Sequence, residues 1–290
     1  MFQIGDFEVH LLSGGQIMVD AGGAFGLVPR VLWSRYYTPT EDHLLPMCLN
    51  CLLVKAHGKN ILIDTGMGSK LPPKYIEQSQ LTYPYGTLFD GLARLGLSVE
   101  DIDLVIDTHL HADHCENNTR FDDEGHVVAT FPNAEYVVQR REYEDAIKPN
   151  ERTRATYVPL NYTPLYESGQ LRLLEGDTEF LEGIKGVVTP GHTPGHMSVL
   201  ISNQEQHLFF ICDLATYAIQ LERLGWMTAY DVEPLVTLET KRRWQPWLIE
   251  HQAIVVFPHD TQTLAARLIE NQDGKPQLAP LGADEGAVYS

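Results

Sequence analysis

Three histidines and one aspartate occur within six residues, directly after an apolar run that is typical of a β-strand. The run LVIDTHLHADHC spans residues 104–115 and contains His109, His111, Asp113 and His114. Imidazole nitrogens and carboxylate oxygens are the ligands that Zn²⁺ and similar divalent ions prefer, at about 2.0–2.2 Å. In an extended strand end, His109 and His111 point to the same side and can share one ion, which leaves the other two free for a second. The cluster therefore predicts a metal site.

Three further candidate ligands each stand at the end of a different apolar run. His192 follows VVTPG, Asp213 ends LFFICD, and His259 ends AIVVFPH. The ends of strands in a packed sandwich gather side chains from distant parts of the chain at one edge. We therefore expect these three residues to join the cluster at residues 109–114.

Both halves of the chain show antiparallel strands followed by a helix and a further strand. The hairpin CLLVKAHGKNILIDTG turns at His57-Gly58, and the run TLFDGLARLGL has leucines at helical spacing. In the second half the hairpin SVLISNQEQHLFFICDL precedes a helix over roughly residues 233–250. An α/β fold with two packed sheets and outer helices would accommodate both halves, although the repeat alone does not fix the layers. The sequence also predicts a hairpin around Gly14-Gly15 and a final short helix over TLAARLIE, residues 263–270.

We expect one domain over residues 1–290, because no linker or low-complexity segment interrupts the chain. The segments 21–46 and 66–86 are rich in glycine, proline and aromatic residues and are predicted to be long loops. Loops of this length in a compact domain are usually functional, so both are candidate substrate walls. The segment 21–46 is alternatively a contact between the subunits of a homodimer.

The run H109-L-H-A-D-H114 matches the H-x-H-x-D-H signature and resembles the metallo-β-lactamase superfamily. The later order of His192, Asp213 and His259 is also similar to that superfamily's remaining ligands. The resemblance implies a four-layer αββα sandwich, with two mixed sheets face to face and helices outside. It also implies two divalent metal ions per chain, Zn²⁺ by the family norm, although Fe or Mn occurs in some members. Asp213 would bridge the two ions, the first held by His109, His111 and His192 and the second by Asp113, His114 and His259.

Several neighbouring residues are expected to support the site without binding metal. His196 and Cys115 are interpreted as packed side chains, and Asp64 as a carboxylate that orients a ligand imidazole. Many relatives have glycines after the signature where this chain has CENN, residues 115–118, so we expect an asparagine in a left-handed conformation there. Cys48 and Cys51 form C-x-x-C in an apolar run and are interpreted as packed strand residues rather than a thiolate site.

The resemblance predicts a metal-dependent hydrolase in which a metal-bridging hydroxide attacks a lactone or ester carbonyl and Asp113 transfers the proton. The chain resembles the branch of N-acyl homoserine lactonases and methyl parathion hydrolases, which makes an N-acyl homoserine lactone the favoured substrate. In that branch a tyrosine shortly after the bridging aspartate contacts the carbonyl, and Tyr217 approximates it with a shifted register. The alternatives are a phosphotriester hydrolase, an iron-dependent oxidoreductase resembling persulfide dioxygenases, and a non-catalytic metal-binding protein.

The composition of the chain limits the classes of molecule that it is expected to bind. Lysine and arginine number 21 against 39 aspartate and glutamate, a formal net charge of −18, which argues against nucleic acid and anionic membranes. No secretory signal or apolar run of about 18 residues is present, so a cytoplasmic location is expected. The favoured partner is a small neutral substrate with an apolar group. Candidate walls of an apolar pocket are Phe25, Leu27, Trp33, Tyr83, Tyr85 and Trp226.

Overall fold

Two seven-stranded sheets form the centre of the computed structural model, which describes residues 1–290. The first sheet has the order β1-β2-β3-β4-β5-β8-β9 and the second the order β10-β11-β12-β13-β14-β15-β16. Strands of the first sheet are β1 (Phe2–Ile4), β2 (Phe7–Asp20), β3 (Leu44–Ala56), β4 (Lys59–Ile63), β5 (Leu104–Ile106), β8 (Glu135–Gln139) and β9 (Leu171–Leu174). Those of the second are β10 (Thr178–Leu181), β11 (Ile184–Val188), β12 (Met197–Asn203), β13 (Gln206–Phe210), β14 (Ile254–Val256), β15 (Ala265–Glu270) and β16 (Pro276–Pro280). A separate ribbon consists of β6 (Thr119–Phe121) and β7 (Val127–Ala129).

Nine α-helices surround the sheets, and none has the length and apolarity that crossing a bilayer requires. The helices are α1 (Ala21–Phe25), α2 (Arg30–Trp33), α3 (Pro73–Ser79), α4 (Leu88–Arg94), α5 (Ala112–Cys115), α6 (Arg140–Ile147), α7 (Thr163–Glu167), α8 (Ala218–Glu222) and α9 (Pro234–Glu250).

Both sheets are mixed, and their parallel strands bring the candidate ligands together. β4, β5, β8 and β9 run parallel in the first sheet, and β13 and β14 run parallel in the second. The chain leaves β5 at Ile106 just before His109, leaves β13 at Phe210 just before Asp213, and leaves β14 shortly before His259. Parallel strands end at the same edge of a sheet, so residues far apart in sequence meet there.

The main core lies between the two sheets. It contains 23 buried residues, including Leu11 and Val54 from the first sheet and Val199 and Phe210 from the second. A second core packs α4, α6 and α7 on the outer face of the first sheet, and a third packs α9 on the outer face of the second. The predicted four-layer αββα sandwich is therefore confirmed.

Two predicted hairpins are confirmed, and their turns have the backbone that a two-residue connection requires. β3 and β4 are joined through His57 and Gly58, whose φ angles are 52° and 73°. β12 and β13 are joined through Gln204 and Glu205, with φ angles of 50° and 63°. Two successive residues with positive φ match the right-handed twist of the flanking strands.

The predicted hairpin around Gly14-Gly15 is wrong, because both residues lie inside the single long strand β2. The register with β3 shifts between Ser13 and Gln16, and Gly15 has φ +118° at this bulge. A Cβ added to Gly14 would lie 2.6 Å from the Cα of Gly66. Gly14 and Gly66 therefore allow the turn after β4 to approach β2 closely.

The predicted final helix over residues 263–270 is also wrong, because residues 265–270 form β15. This strand pairs with β14 on one side and β16 on the other, and Leu268 is buried in the outer core. Tertiary pairing overrides the helix propensity of the alanines and leucines. The segments 21–46 and 66–86 are likewise not wholly irregular, since they contain the short helices α1, α2 and α3.

Replacing Phe210 with alanine tests the inter-sheet core. Its side chain is fully buried in that core, so we expect the free energy of unfolding to fall by about 3–5 kcal/mol. Chemical denaturation measures the change, and Phe89→Ala is the control because Phe89 is 39% exposed. Equal losses in the two variants would contradict a core placed between the sheets.

Candidate metal centre

The structure brings all seven candidate ligands together at one edge of the sandwich. His109 and His111 precede α5, Asp113 and His114 lie within it, and the other three follow strands of the second sheet or their connections. Two groups of ligand atoms each lie within 4.8 Å of one another. The first group is His109, His111, His192 and Asp213, and the second is Asp113, His114 and His259.

The carboxylate of Asp213 lies between the two groups. Its Oδ2 atom is 3.1 Å from Nε2 of His192, and its Oδ1 atom is 3.1 Å from Nε2 of His259. Nε2 of His114 is 3.5 Å from Oδ2 of the same carboxylate. Burial alone would raise the pKa of Asp213, but the histidines around it hold that pKa well below its usual range. The carboxylate is therefore ionised and shared by both groups.

The donor set fits divalent metal ions. Ring nitrogens face each other at 3.0 Å in two pairs, His111 with His192 and His114 with His259. Nε2 of His109 is buried and has no hydrogen-bond partner. Burial lowers the pKa of both His109 and His111, with further lowering by neighbouring histidines. Imidazoles whose ring nitrogens converge with a carboxylate are the environment that zinc and similar ions require, and binding of an ion displaces any ring proton that they carry.

Further polar groups contact the Nδ1 atoms of three candidate ligand rings and orient those rings. Nδ1 of His114 is 2.9 Å from Oδ2 of Asp64, as the sequence suggested for that aspartate. Nδ1 of His192 is 3.0 Å from Oδ1 of Asp231. Nδ1 of His259 donates to the carbonyl oxygen of Cys48 at 2.7 Å. Such contacts fix the tautomer and the orientation of a metal-binding ring.

Asp231 and Cys212 are two site residues that sequence reasoning missed. Asp231 lies in an irregular loop 39 residues after His192, with no motif around it. Cys212 directly precedes Asp213, and its thiol lies 3.6 Å from Nδ1 of His114. Its φ angle of +49° is rare for a residue with a side chain, so the backbone is constrained where the shared carboxylate is presented.

The residues that the sequence predicted to be packed side chains are buried, and His196 also makes hydrogen bonds within the protein. Nδ1 of His196 is 2.9 Å from Oγ1 of Thr189, and its Nε2 accepts the backbone N–H of Asp213 at 3.1 Å. Cys115 is fully buried in the core beneath α5. Cys48 and Cys51 are buried in β3, as expected for packed strand residues.

The expected left-handed asparagine is absent, because neither Asn117 nor Asn118 has a positive φ. Side chains hold this turn instead. Asn117 donates to the carbonyl oxygens of Thr65 and Met67 at 2.9 and 2.7 Å. Asn118 donates to both carboxylate oxygens of Asp107 at 2.9 Å. The turn is thus tied to the chain on both sides by amide hydrogen bonds rather than by glycine backbone.

A buried ion pair joins this turn to the segment 66–86. Nζ of Lys70 is 3.3 Å from Oε1 of Glu116, and the two side chains are only 3% and 1% exposed. The ammonium also donates to the carbonyl oxygens of Glu116 and Thr119. Oε2 of Glu116 lies against Gly68, where a Cβ would collide with it. The pair therefore anchors the start of the segment 66–86 beside the candidate ligands Asp113 and His114.

Five of the seven candidate ligands line an open cavity of about 180 Å³. Its walls consist of Ile17, Val19, Met47, Tyr75, His111, Asp113, Thr156, His192, Asp213, Thr216, Tyr230 and His259. None of the six predicted wall residues borders this cavity. Phe25 and Trp33 stack in a buried aromatic cluster, while Leu27 lines a neighbouring pocket of about 370 Å³.

Tyr217 does not line the cavity. It is 1% exposed and packs against Phe25 and Tyr37, and its hydroxyl is 3.5 Å from the carbonyl oxygen of Pro46. The cavity instead contains two other phenols, Tyr75 and Tyr230. Tyr75 lies in the segment 66–86, which the sequence predicted as a substrate wall, whereas Tyr230 lies in a connection that has no local motif.

The chain belongs to the metallo-beta-lactamase superfamily, whose family model matches residues 49–275. Members of this superfamily bind divalent metal ions, and the protein is a hydrolase of that superfamily.

Among its relatives, the chain is 29% identical over 270 residues to an N-acyl homoserine lactonase of Bacillus cereus, covering 88% of this chain and 94% of that protein. It is also similar to the crystal structure of a probable metal-dependent hydrolase from Staphylococcus aureus. The identity is 31% and the TM-score 0.87, over 97% of this chain and 99% of that one. A dizinc quorum-quenching lactonase in complex with a product shares the fold at 21% identity. Its TM-score is 0.78, over 97% of this chain and 96% of that one.

Replacing Lys70 with methionine tests the buried ion pair. Because Glu116 would be left as an uncompensated buried charge, we expect the free energy of unfolding to fall by about 3–5 kcal/mol. The matched control is Lys59→Met, whose pair with Asp103 is exposed and contributes only about 0–1 kcal/mol. Denaturation of both variants measures the difference, and a loss in Lys70→Met no larger than in the control would exclude an anchoring role.

Proposed function

We propose that this protein is a dinuclear metal-dependent hydrolase that opens lactones, with an N-acyl homoserine lactone as the favoured substrate. The observation that carries the proposal is the carboxylate of Asp213, which lies 3.1 Å from a histidine of each group, through Oδ2 from His192 and through Oδ1 from His259. In this proposal one ion is held by His109, His111 and His192, the other by Asp113, His114 and His259, and both by Asp213. Zinc is the favoured metal, with iron or manganese as alternatives, because imidazole and carboxylate ligands suit all three.

When bound, two dications supply a water of lowered pKa and a polarised carbonyl. The protein's own contribution is to hold the reacting groups and to move one proton. Asp113 is suited to that task because its side chain is 21% exposed at the cavity, whereas Asp213 is 6% exposed. Its carboxylate would accept the proton of the attacking water and return it to the oxygen released from the broken ester bond. Water oxygen thus bonds to the carbonyl carbon, and the ring opens to an acid and an alcohol.

The shape of the cavity supports a substrate with a polar head and an apolar part. Its lining combines five of the candidate ligands with the apolar side chains of Ile17, Val19 and Met47. The relative from Bacillus cereus, which aligns with 88% of this chain, is named as an N-acyl homoserine lactonase. A lactone carbonyl with an acyl tail matches this division of polar and apolar surface.

We also propose that residues 1–290 act as one domain, with the segment 66–86 as a substrate wall and the segment 21–46 as a homodimer contact. Tyr75 of the segment 66–86 borders the cavity, whereas no residue of 21–46 does. Leu27 and Val31 of the segment 21–46 are 103% and 67% exposed, so they offer apolar surface that a second copy of the chain would cover. Sedimentation should show a dimer that Leu27→Glu dissociates; a monomeric wild type would reject this contact.

Metal content and substrate choice are tested together. Elemental analysis should find two metal ions per wild-type chain, and His259→Ala should retain about one. Wild-type protein should hydrolyse acyl-homoserine lactones of several chain lengths, and chelation should abolish the activity until metal is restored. One ion per chain would reject the dinuclear site. Turnover of a phosphotriester without any lactone would reject the substrate class while leaving the metal centre intact.

A further inference from the structure

We propose that Glu142 is a positioning residue whose buried carboxylate sets the spacing of His111 and His192, and thereby the affinity of the first group for its metal ion. The inference rests on the proposed dinuclear centre and adds to it a residue that contacts neither metal nor substrate. Glu142 lies on α6, outside the H-x-H-x-D-H run, and its side chain is fully buried. None of its hydrogen bonds involves the side chain of a candidate ligand.

This one carboxylate contacts the residue before His111 and the residue after His192. Oε1 of Glu142 accepts the backbone N–H of Leu110 at 3.0 Å, and its Oε2 accepts the hydroxyl of Thr193 at 2.5 Å. The ring nitrogens of His111 and His192 face each other at 3.0 Å, although the two residues are 81 positions apart in the sequence. Glu142 therefore connects the two chain segments whose histidines must converge on one ion.

The same carboxylate holds an aromatic ring that lies against His111. Oε1 of Glu142 accepts the hydroxyl of Tyr157 at 3.0 Å. The ring centroids of Tyr157 and His111 are 5.1 Å apart, and the backbones of these two residues form an isolated antiparallel bridge. The N–H of Ala112 donates to the carbonyl oxygen of Thr156 at 2.9 Å beside that bridge. Glu142 thus restrains His111 through the backbone that precedes it and through the ring that packs on it.

The backbone of α6 also packs directly on the segment that carries His192. A Cβ added to Gly195 would lie 2.3 Å from the backbone nitrogen of Glu142, so only glycine allows this approach. A fully buried carboxylate is costly unless hydrogen-bond donors surround it. The burial of Glu142 therefore favours the spacing at which Leu110 and Thr193 both reach its carboxylate.

The second group of candidate ligands has anchors of its own. Nδ1 of His114 is 2.9 Å from Oδ2 of Asp64, and the carbonyl oxygen of His114 accepts the N–H of Thr65 at 2.6 Å. Nδ1 of His259 donates to a carbonyl oxygen of β3 at 2.7 Å. Because none of these contacts involves Glu142, loss of its carboxylate should loosen the first group much more than the second.

The variants Glu142→Leu and Glu142→Gln together test the positioning role. Leucine removes all three acceptor contacts, whereas a glutamine amide keeps an oxygen for Leu110 and Tyr157 and can donate to the hydroxyl of Thr193. In competition with a chelator, we expect Glu142→Leu to lower the affinity for the first ion by about 10- to 100-fold, with Glu142→Gln close to wild type. Glu144→Leu is the matched control, because Glu144 is exposed on the same helix.

Variants that hold a single ion show which group responds. His259→Ala should retain the first ion, and His192→Ala should retain the second. Adding Glu142→Leu should weaken binding by about 10- to 100-fold in the His259→Ala background and leave binding unchanged in the His192→Ala background. Equal weakening in both backgrounds would overturn the inference, because the effect would then be a general loss of structure. A loss in Glu142→Gln as large as in Glu142→Leu would also overturn it, since charge rather than hydrogen-bond geometry would then matter.

Metal affinity and turnover separate this inference from the proposed function. If the wild type binds two ions and Glu142→Leu binds them as tightly as the Glu144→Leu control, the positioning role is rejected and the dinuclear centre stands. If the wild type binds two ions but hydrolyses no lactone, the substrate class is rejected, and the chelator competition still decides the role of Glu142. One ion per wild-type chain would reject the dinuclear centre and this inference with it.

Discussion

The arrangement of this molecule depends on one buried carboxylate shared by two groups of histidines. Asp213 is 6% exposed, and its two oxygens face His192 and His259 at the same distance, 3.1 Å. A buried carboxylate is costly unless positive or hydrogen-bonding groups surround it. The parallel pairs β4–β5 and β13–β14 supply those groups, because they bring the ends of distant strands to one edge. The two-sheet fold is thus what makes the shared carboxylate possible.

Support for this edge comes from side chains of the turn that follows the H-x-H-x-D-H run. Glu116 fills the space above Gly68 and pairs with Lys70, while the amides of Asn117 and Asn118 bind carbonyl and carboxylate oxygens. A turn held by side chains makes more hydrogen bonds than a turn of glycines. Each of its polar groups must have a hydrogen-bond partner, because a buried polar group without one destabilises the fold. The close packing of Gly14 on Gly66 shows that glycine is still required where two backbones approach.

Sequence patterns predicted two hairpins and gathered the candidate ligands, since both depend on short-range signals, whereas the four layers were implied by the resemblance to the metallo-β-lactamase superfamily. The spacing of His109, His111 and His114 and the apolar runs before Asp213 and His259 are readable locally. Residues contributed by irregular loops were not readable, because only the folded chain brings Asp231 to His192 and Tyr230 to the cavity. Local propensity also misled for β15, where pairing with two neighbouring strands outweighs the preference of its alanines for helix.

The loop from Trp226 to Asp231 connects the candidate metal centre to the wall of the cavity. Asp231 contacts His192, and the adjacent Tyr230 faces the cavity, so a shift of this loop moves both groups together. Lys241 of α9 donates to the carbonyl oxygen of Trp226, and Arg152, in the connection after α6, donates to those of Ala229 and Asp231. Residues that contact neither the candidate ligands nor the cavity can therefore change the position of both groups, because they hold the one backbone that carries Tyr230 and Asp231.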